Sequence, residues 1–198
     1  LRHRDQTGEG QHVDISLQDA MLFQSDGLPT LGALGIEPTR MGNEFGFAAP
    51  ANVYDCKDGA VYVGVLLDAH WKVLAPIIGE PDLADHPTFA ARDDRAANRD
   101  ICNAMISQWT KDLSREEVLT TLQESGLPAA PVNSFPDASK DPHVLARDML
   151  QPTDFGNGVT IPITGPAAKF SRTPTRVRSA APDIGQHNEE ILAALKEK

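Results

Sequence analysis

The sequence predicts a mixed α/β fold, and three observations carry that expectation. Two β-rich arms meet at Asp58-Gly59, helical spacing recurs at Ile101, Ala104, Met105 and Trp109, and the capping sequence Ser114-Arg-Glu-Glu117 precedes the apolar stripe Val118, Leu119 and Leu122. Helices and hairpins interleave along the chain, with no internal repeat and no low-complexity tract. The 198 residues give room for one large domain or one and a part.

Read from the first residue, Gln11 to Ser16 alternates polar and apolar, with Val13 and Ile15 on one face, which predicts a short strand. Ser16 then caps a helix through Ala20, Met21, Leu22 and Phe23, and Gly27 and Pro29 weaken or end it. Gly32 to Pro50 holds four glycines and two prolines and reads as a loop or linker. Val53 to Val65 predicts a hairpin with a type I′ turn at Asp58-Gly59. His70 to Gly79 predicts a short helix closed by its glycine, and Phe89 to Leu113 a longer one. Gly126 stops the helix that Ser114 begins, and Leu127 to Val132 is too rich in proline for a central strand. Asp141-Pro142 opens a helix to about Leu150. Val159–Thr164 and Ala167–Phe170 are strand candidates, a proline-rich loop follows, and Glu189 to Leu195 forms a last helix with the apolar stripe Ile191, Leu192 and Leu195.

Composition excludes several function classes. Hydrophobic residues make up 40 %, beside 15 glycines and 15 prolines, which is ordinary for a globular protein. Eighteen basic against 28 acidic residues give a net charge of −10, which speaks against nucleic acid as a partner because phosphate binding needs a concentrated basic face. No apolar run is long enough to span a membrane. Cys56 and Cys102 are the only cysteines and fall in different predicted elements, so a reducing, cytoplasmic setting fits better than a disulfide framework.

Familiar site motifs are missing. There is no GxGxxG, GxxxxGK[ST], HExxH, CxxC or GxSxG. The six histidines (3, 12, 70, 86, 143 and 187) lack ligand partners at helical spacing, so no metal site is expected. Asp68 reads as a helix cap and Trp71 as a core residue rather than as parts of an acid–base centre with His70. Cys56 reads as a small buried hydrophobe, since Lys57 alone is weak support for an activated thiol. Arg172, Arg176 and Arg178 form the one basic run, read as a solvated loop with an anion site as the alternative.

One ordered set of residues resembles a known family. His3-Arg-Asp-Gln-Thr-Gly-Glu-Gly-Gln-His-Val-Asp-Ile-Ser-Leu17 is similar to the RxxTGxGQxVDxSL segment of the class III coenzyme A transferases, the CaiB/BaiF group. Gly42-Asn43, Ala49-Pro50, Tyr54 and Asp58-Gly59 follow that family's order, as do Trp71, Ile78 to Leu83, Arg95, Asn98 and Trp109. Gly126-Leu-Pro-Ala-Ala-Pro-Val132 resembles its GxPxxPV element, and Phe170 to Pro174 and Ala181 to His187 resemble its closing segments. Single pieces are common, and it is their collinear order that is specific. The family includes formyl-CoA transferase, carnitine CoA-transferase and α-methylacyl-CoA racemase.

The resemblance implies part of a Rossmann-like large domain plus a small α+β domain. Residues 1–36 would end the large domain's first part and supply a crossing helix, 37–140 would form the small domain, and 141–198 would return to the large one. It implies an interlocked homodimer, or a missing N-terminal half as partner, and acyl-CoA and carboxylic acid substrates, with no permanently bound cofactor. Gly42, Asn43 and Gly46 would belong to a glycine loop over the coenzyme A thioester, although Glu44, Phe45 and Phe47 make that loop poorer in glycine than the family pattern. The family's nucleophilic aspartate precedes the RxxTGxGQ segment, within which this sequence opens, so no catalytic residue is nominated and the piece is expected to be inactive alone. Leu67 stands where the racemase branch has a glutamate, which counts against racemisation of a 2-methylacyl-CoA. A non-catalytic acyl-CoA-binding or assembly module remains the alternative from another class. The absent partners also predict exposed apolar surface on Leu17–Phe23 and Ile191–Leu195, with self-association as its consequence.

Overall fold

The computed structural model describes every residue except Asp26, Pro38, Glu197 and Lys198. The fold is mixed α/β, and the chain divides into two compact units, Leu1–Ala129 and Ala130–Lys198. In order, the first unit carries α1 (Arg2–Thr7), α2 (Leu17–Gln24), α3 (Leu28–Ala33), β1 (Ala51–Cys56), β2 (Gly59–Gly64), α4 (Asp68–Ile77), α5 (Arg92–Ala97), α6 (Arg99–Thr110) and α7 (Arg115–Glu124). The short strand β3 (Ala129–Pro131) begins at its end.

The hairpin organises this unit. β1 and β2 pair antiparallel from Ala51↔Gly64 to Cys56↔Gly59. The last pair places the turn at Lys57-Asp58, not Asp58-Gly59, so the predicted type I′ geometry is replaced by a turn in which Asp58 keeps a negative φ and Gly59 sits at +147°. The Asp58 carboxylate has a different task, accepting the Arg115 amide at 2.7 Å at the start of α7. Opposed on one face, Tyr54 and Val61 are both buried, as is Val63. Against them pack Trp71, Leu74 and Ala75 of α4, Cys102 and Ile106 of α6, and Val118 and Leu122 of α7. The sheet order is β1-β2-β3, which leaves proline-bearing β3 at an edge, as its composition predicts.

Helix boundaries follow local chemistry. Ser114 accepts from the Glu117 amide while the Glu117 carboxylate accepts from the Ser114 amide, the reciprocal pair its sequence predicts. Ser16 accepts the Asp19 amide at 3.0 Å to open α2. Gly27, at a φ of +78°, and Pro29 in the first turn begin α3 rather than only ending α2. The single helix expected over 89–113 is instead two, because the chain leaves helical geometry at Asn98 (φ −108°, ψ 30°). No strand forms over 11–16: Val13 and Ile15 alternate as a strand would, but they are exposed and no ladder partner stands beside them. Alternation alone does not make a strand when no neighbour completes its hydrogen bonds.

The second unit carries α8 (Phe135–Ala138), α9 (Pro142–Ala146), the antiparallel pair β4 (Leu150–Asp154) and β5 (Thr160–Thr164), and α10 (Asn188–Lys196). Asp141 caps α9 through the His143 and Val144 amides, as predicted. The helix stops at Ala146, short of Leu150, because Asp148 turns into the left-handed region (φ 50°) and Leu150 pairs with Thr164. Ala167–Phe170 forms no strand. Arg172, Arg176 and Arg178 lie exposed in the proline-rich loop. No helix among the described residues is long and apolar enough to cross a membrane.

Candidate functional site

The loop from Thr39 to Pro50 leads into β1 and is tied down at its C-terminal end. The Phe45 amide donates to the Ala51 carbonyl at 3.0 Å, and the Val65 amide donates to the Pro50 carbonyl at 2.8 Å. Arg95 reinforces this from below. It is fully buried, yet its guanidinium donates to the carbonyls of Ala49, Phe89 and Ala90, each at 2.9 Å, and to Asp68 Oδ1 at 3.0 Å. Its carbon also lies 5.5 Å from the centre of the Trp71 ring. A buried cation is tolerable only when its donors are spent in this way. Asp68 is therefore Arg95's ion-pair partner and not the helix cap predicted for it, while Trp71 is the core residue expected. No acid–base pair forms with His70, whose Nδ1 is buried without a hydrogen-bond partner among the described residues.

Beside this anchored loop lies a cavity of about 450 Å³. Leu28 and Leu31 of α3, Met41, Phe45 and Phe47 give it apolar walls, and the two phenylalanine rings meet edge to face at 5.8 Å. Arg99, Glu37, Glu44 and Thr39 add the polar groups. This is the composition of a small-molecule site, mostly apolar with a few placed polar atoms.

Two of these polar groups, Glu44 and Arg99, are held from behind. The Tyr54 hydroxyl donates to Asn103 Oδ1 at 2.6 Å, and Asn103 Nδ2 donates to Glu44 Oε1 at 2.9 Å, so a buried phenol orients a carboxylate at the cavity wall through one amide. Burial pushes the Tyr54 hydroxyl far above the ordinary phenol range, which keeps it a donor. Arg99 donates from Nε to the Ala96 carbonyl at 3.1 Å and from Nη1 to the Met41 sulfur at 3.6 Å. No carboxylate among the described residues pairs with it.

Of the residues the sequence nominates, Gly46 lines this cavity. A side chain there would meet Met41 Sδ at 3.0 Å, so glycine makes room for the thioether that backs Arg99. Gly42 adopts a φ of +62° in the same loop, a left-handed geometry that glycine takes without strain, and neither it nor Asn43 is among the lining residues. Sequence reasoning missed Arg99 and the Tyr54–Asn103–Glu44 chain. The available signal was Arg95 and Arg99 four apart beside a poor helix former, Asn98, where a break separates two arginines that one continuous helix would stack.

The thiols are not activated. Burial raises Cys102 to about 11, with only a partial lowering by Arg95, and burial together with Asp58 also raises Cys56. Among the described residues no cluster of histidine, cysteine or acidic side chains has the geometry to hold a metal ion.

Comparison with known proteins adds a lineage to this geometry. Residues 1–188 match the model of CoA-transferase family III. The chain is 35 % identical over 199 residues to the beta subunit of succinyl-CoA–L-malate CoA-transferase from Chloroflexus aurantiacus, covering 98 % of this chain and 49 % of that protein. It is 34 % identical over 195 residues to succinyl-CoA:mesaconate CoA-transferase from Haloarcula hispanica, covering 97 % and 48 %. A CaiB/BaiF family protein from Brucella suis superposes with a TM-score of 0.72 at 31 % identity, over 98 % of this chain and 50 % of that one. Rv3272 from Mycobacterium tuberculosis shares the fold with a TM-score of 0.78 at 22 % identity, over 95 % and 49 %. The chain thus spans about half the length of the relatives it matches.

Proposed function

The chain belongs to CoA-transferase family III, and from that membership we propose that it forms part of an enzyme moving coenzyme A from an acyl-CoA thioester to a carboxylic acid. The observation that carries the reading is the family match across residues 1–188. The apolar cavity with its few oriented polar groups supports it. Gly42, Asn43 and Gly46 would lie in the loop facing the thioester, and residues 37–140 would form a small domain between segments of a larger one. Two copies of the protein would assemble as a dimer.

In the chemistry proposed, an aspartate carboxylate outside these 198 residues attacks the thioester carbonyl. The carbon–sulfur bond breaks, coenzyme A thiolate leaves, and a mixed anhydride remains. The thiolate attacks the aspartyl carbonyl of that anhydride, releasing the first acid and leaving an aspartyl-CoA thioester. The acceptor carboxylate attacks this thioester, expelling thiolate and forming a second anhydride. Thiolate then attacks the acceptor's acyl carbon, giving the new acyl-CoA and free aspartate. Covalent catalysis of this kind divides a difficult exchange into easier steps. Backbone amides of a glycine-bearing loop suit the oxyanions that develop.

The test is intact-mass spectrometry after incubation with succinyl-CoA, the donor in the names of both relatives described. This chain is incubated alone and then together with the remaining segment of its protein. A coenzyme A adduct is expected on the remaining segment and not on this chain. An adduct on this chain alone, or on neither, overturns the reading.

A further inference from the structure

We propose that Arg99 is a carboxylate subsite: the cavity accepts an acid or acyl group that carries a second, non-reacting carboxylate, held by the Arg99 guanidinium. This rests on the CoA-transferase reading and names the substrate class for it. Three features of the cavity point there. Arg99 commits Nε to a carbonyl and Nη1 to a thioether, a weak acceptor, which leaves Nη2 without a hydrogen bond among the described residues. Arg99 is a half-buried residue that lines the cavity without a carboxylate partner among the described residues, so an incoming anion meets an unneutralised charge. The remaining walls, Leu28, Leu31, Phe45 and Phe47, suit the methylene or vinyl carbons between two carboxyl groups.

The same lining separates a carboxylate from a phosphate. Glu37 and Glu44 also border the cavity, and the repulsion they add grows with ligand charge, so they oppose a dianionic phosphate more than a singly charged carboxylate. A singly charged carboxylate asks for one guanidinium donor, and the free Nη2 of Arg99 supplies it. Glu37 is exposed and screened by water, and Glu44 already gives one oxygen to Asn103.

The Gly46–Met41–Arg99 contact explains why the subsite is built here. Glycine at 46 lets the Met41 sulfur reach its place, and that sulfur holds Nη1.

The test uses the complete protein and two probes of equal chain length, succinate and butyrate, titrated calorimetrically into wild type, Arg99→Gln and Arg99→Lys. Arg172→Gln, on an exposed loop of the second unit, serves as control. Wild type and the control are expected to bind succinate at least about tenfold more tightly than butyrate, the scale of one charge-assisted pair. Arg99→Gln loses that preference, and Arg99→Lys keeps part of it. Equal binding of the two acids by wild type overturns the proposal. So does Arg99→Gln keeping the preference with an unchanged thermal transition. The ratio of kcat/KM for succinyl-CoA over butyryl-CoA gives a second readout. If coenzyme A exchange occurs and Arg99→Gln leaves that ratio intact, the subsite fails and the transferase reading stands. If no acyl-CoA exchanges while the Arg99-dependent preference holds, the transferase reading fails and the subsite stands.

Discussion

Arg95 Nη2 lies 3.0 Å from Asp68 Oδ1, and the two ends of this ion pair sit in different surroundings: the arginine side chain is fully buried and the aspartate 54 % exposed. The asymmetry decides which partner matters. Removing Asp68 leaves an arginine that still satisfies three carbonyls, and water reaches the vacated side. Removing Arg95 strands the carbonyls of Ala49, Phe89 and Ala90 in the interior. Arg95→Met is therefore expected to cost on the order of 3 kcal/mol and Asp68→Asn below about 1 kcal/mol. Urea unfolding of the two variants checks the order, and an equal loss for both contradicts it.

Ser114 and Glu117 make a pH-dependent helix start. The Ser114 amide and hydroxyl hold the Glu117 carboxyl below its usual value of 4.5. A lowered folded pKa means that the ionised form is favoured by folding. Its stabilisation is present above 4.5 and is lost as pH falls below that and through the lowered value. Ser114→Ala should cost about 1 kcal/mol at pH 7. The gap between variant and wild type in urea midpoints should narrow at pH 3, and a gap that widens would refute the assignment.

Gly42 and Gly46 separate two reasons for glycine. Gly42 stands at a φ of +62° with open space around its Cα, so Gly42→Ala should cost about 1 kcal/mol from backbone strain alone, and Gly42→Asn less. Gly46 has no such φ, but its substituent would press on the Met41 thioether. Gly46→Ala should leave the urea midpoint near wild type and change ligand binding in the cavity. Equal destabilisation by both alanines would show that backbone strain governs each position.

The cysteines are predicted to be slow. With Cys102 raised to about 11 and Cys56 also raised, little of either is thiolate at pH 8. Ellman's reagent should modify Cys56 slowly, faster as pH climbs, and Cys102 only after unfolding. Rapid stoichiometric reaction at neutral pH would restore a thiol as a nucleophile candidate.

Leu17 and Phe23 of α2 are 88 % and 87 % exposed, and Ile191, Leu192 and Leu195 of α10 are exposed as well, as the sequence predicts. Surface of this kind associates. Sedimentation velocity should show mass rising with concentration in the micromolar range, and Leu17→Glu with Phe23→Glu should suppress it. A strictly monomeric wild-type profile would remove the prediction.

What could be read from the chain was local. Ser114 with Glu117, Ser16 with Asp19, and the pair of arms ending near Gly59 declare themselves within a few residues, and each formed. The turn slipped by one residue because Asp58 serves the α7 amide of Arg115, 57 positions away, a demand invisible at Asp-Gly. Val13 and Ile15 carried the right alternation, but a strand requires a partner that alternation does not specify. The site was the least legible part. Arg95 draws on residues 5 to 46 positions away, and the path from Tyr54 to Glu44 runs through Asn103, 49 positions from the phenol. Only Gly46 among the nominated loop residues lines the cavity, and its reason, room for Met41, is tertiary.

The proline at the end of β3 has an effect beyond its own strand. An uncapped sheet rim invites a strand from another molecule, the first step toward fibrils and swapped dimers. β3 is three residues long and ends in a proline, which makes that rim a poor template for a further strand. Crowding in a concentrated preparation would then favour contact through the exposed helix faces over strand addition at the β3 rim.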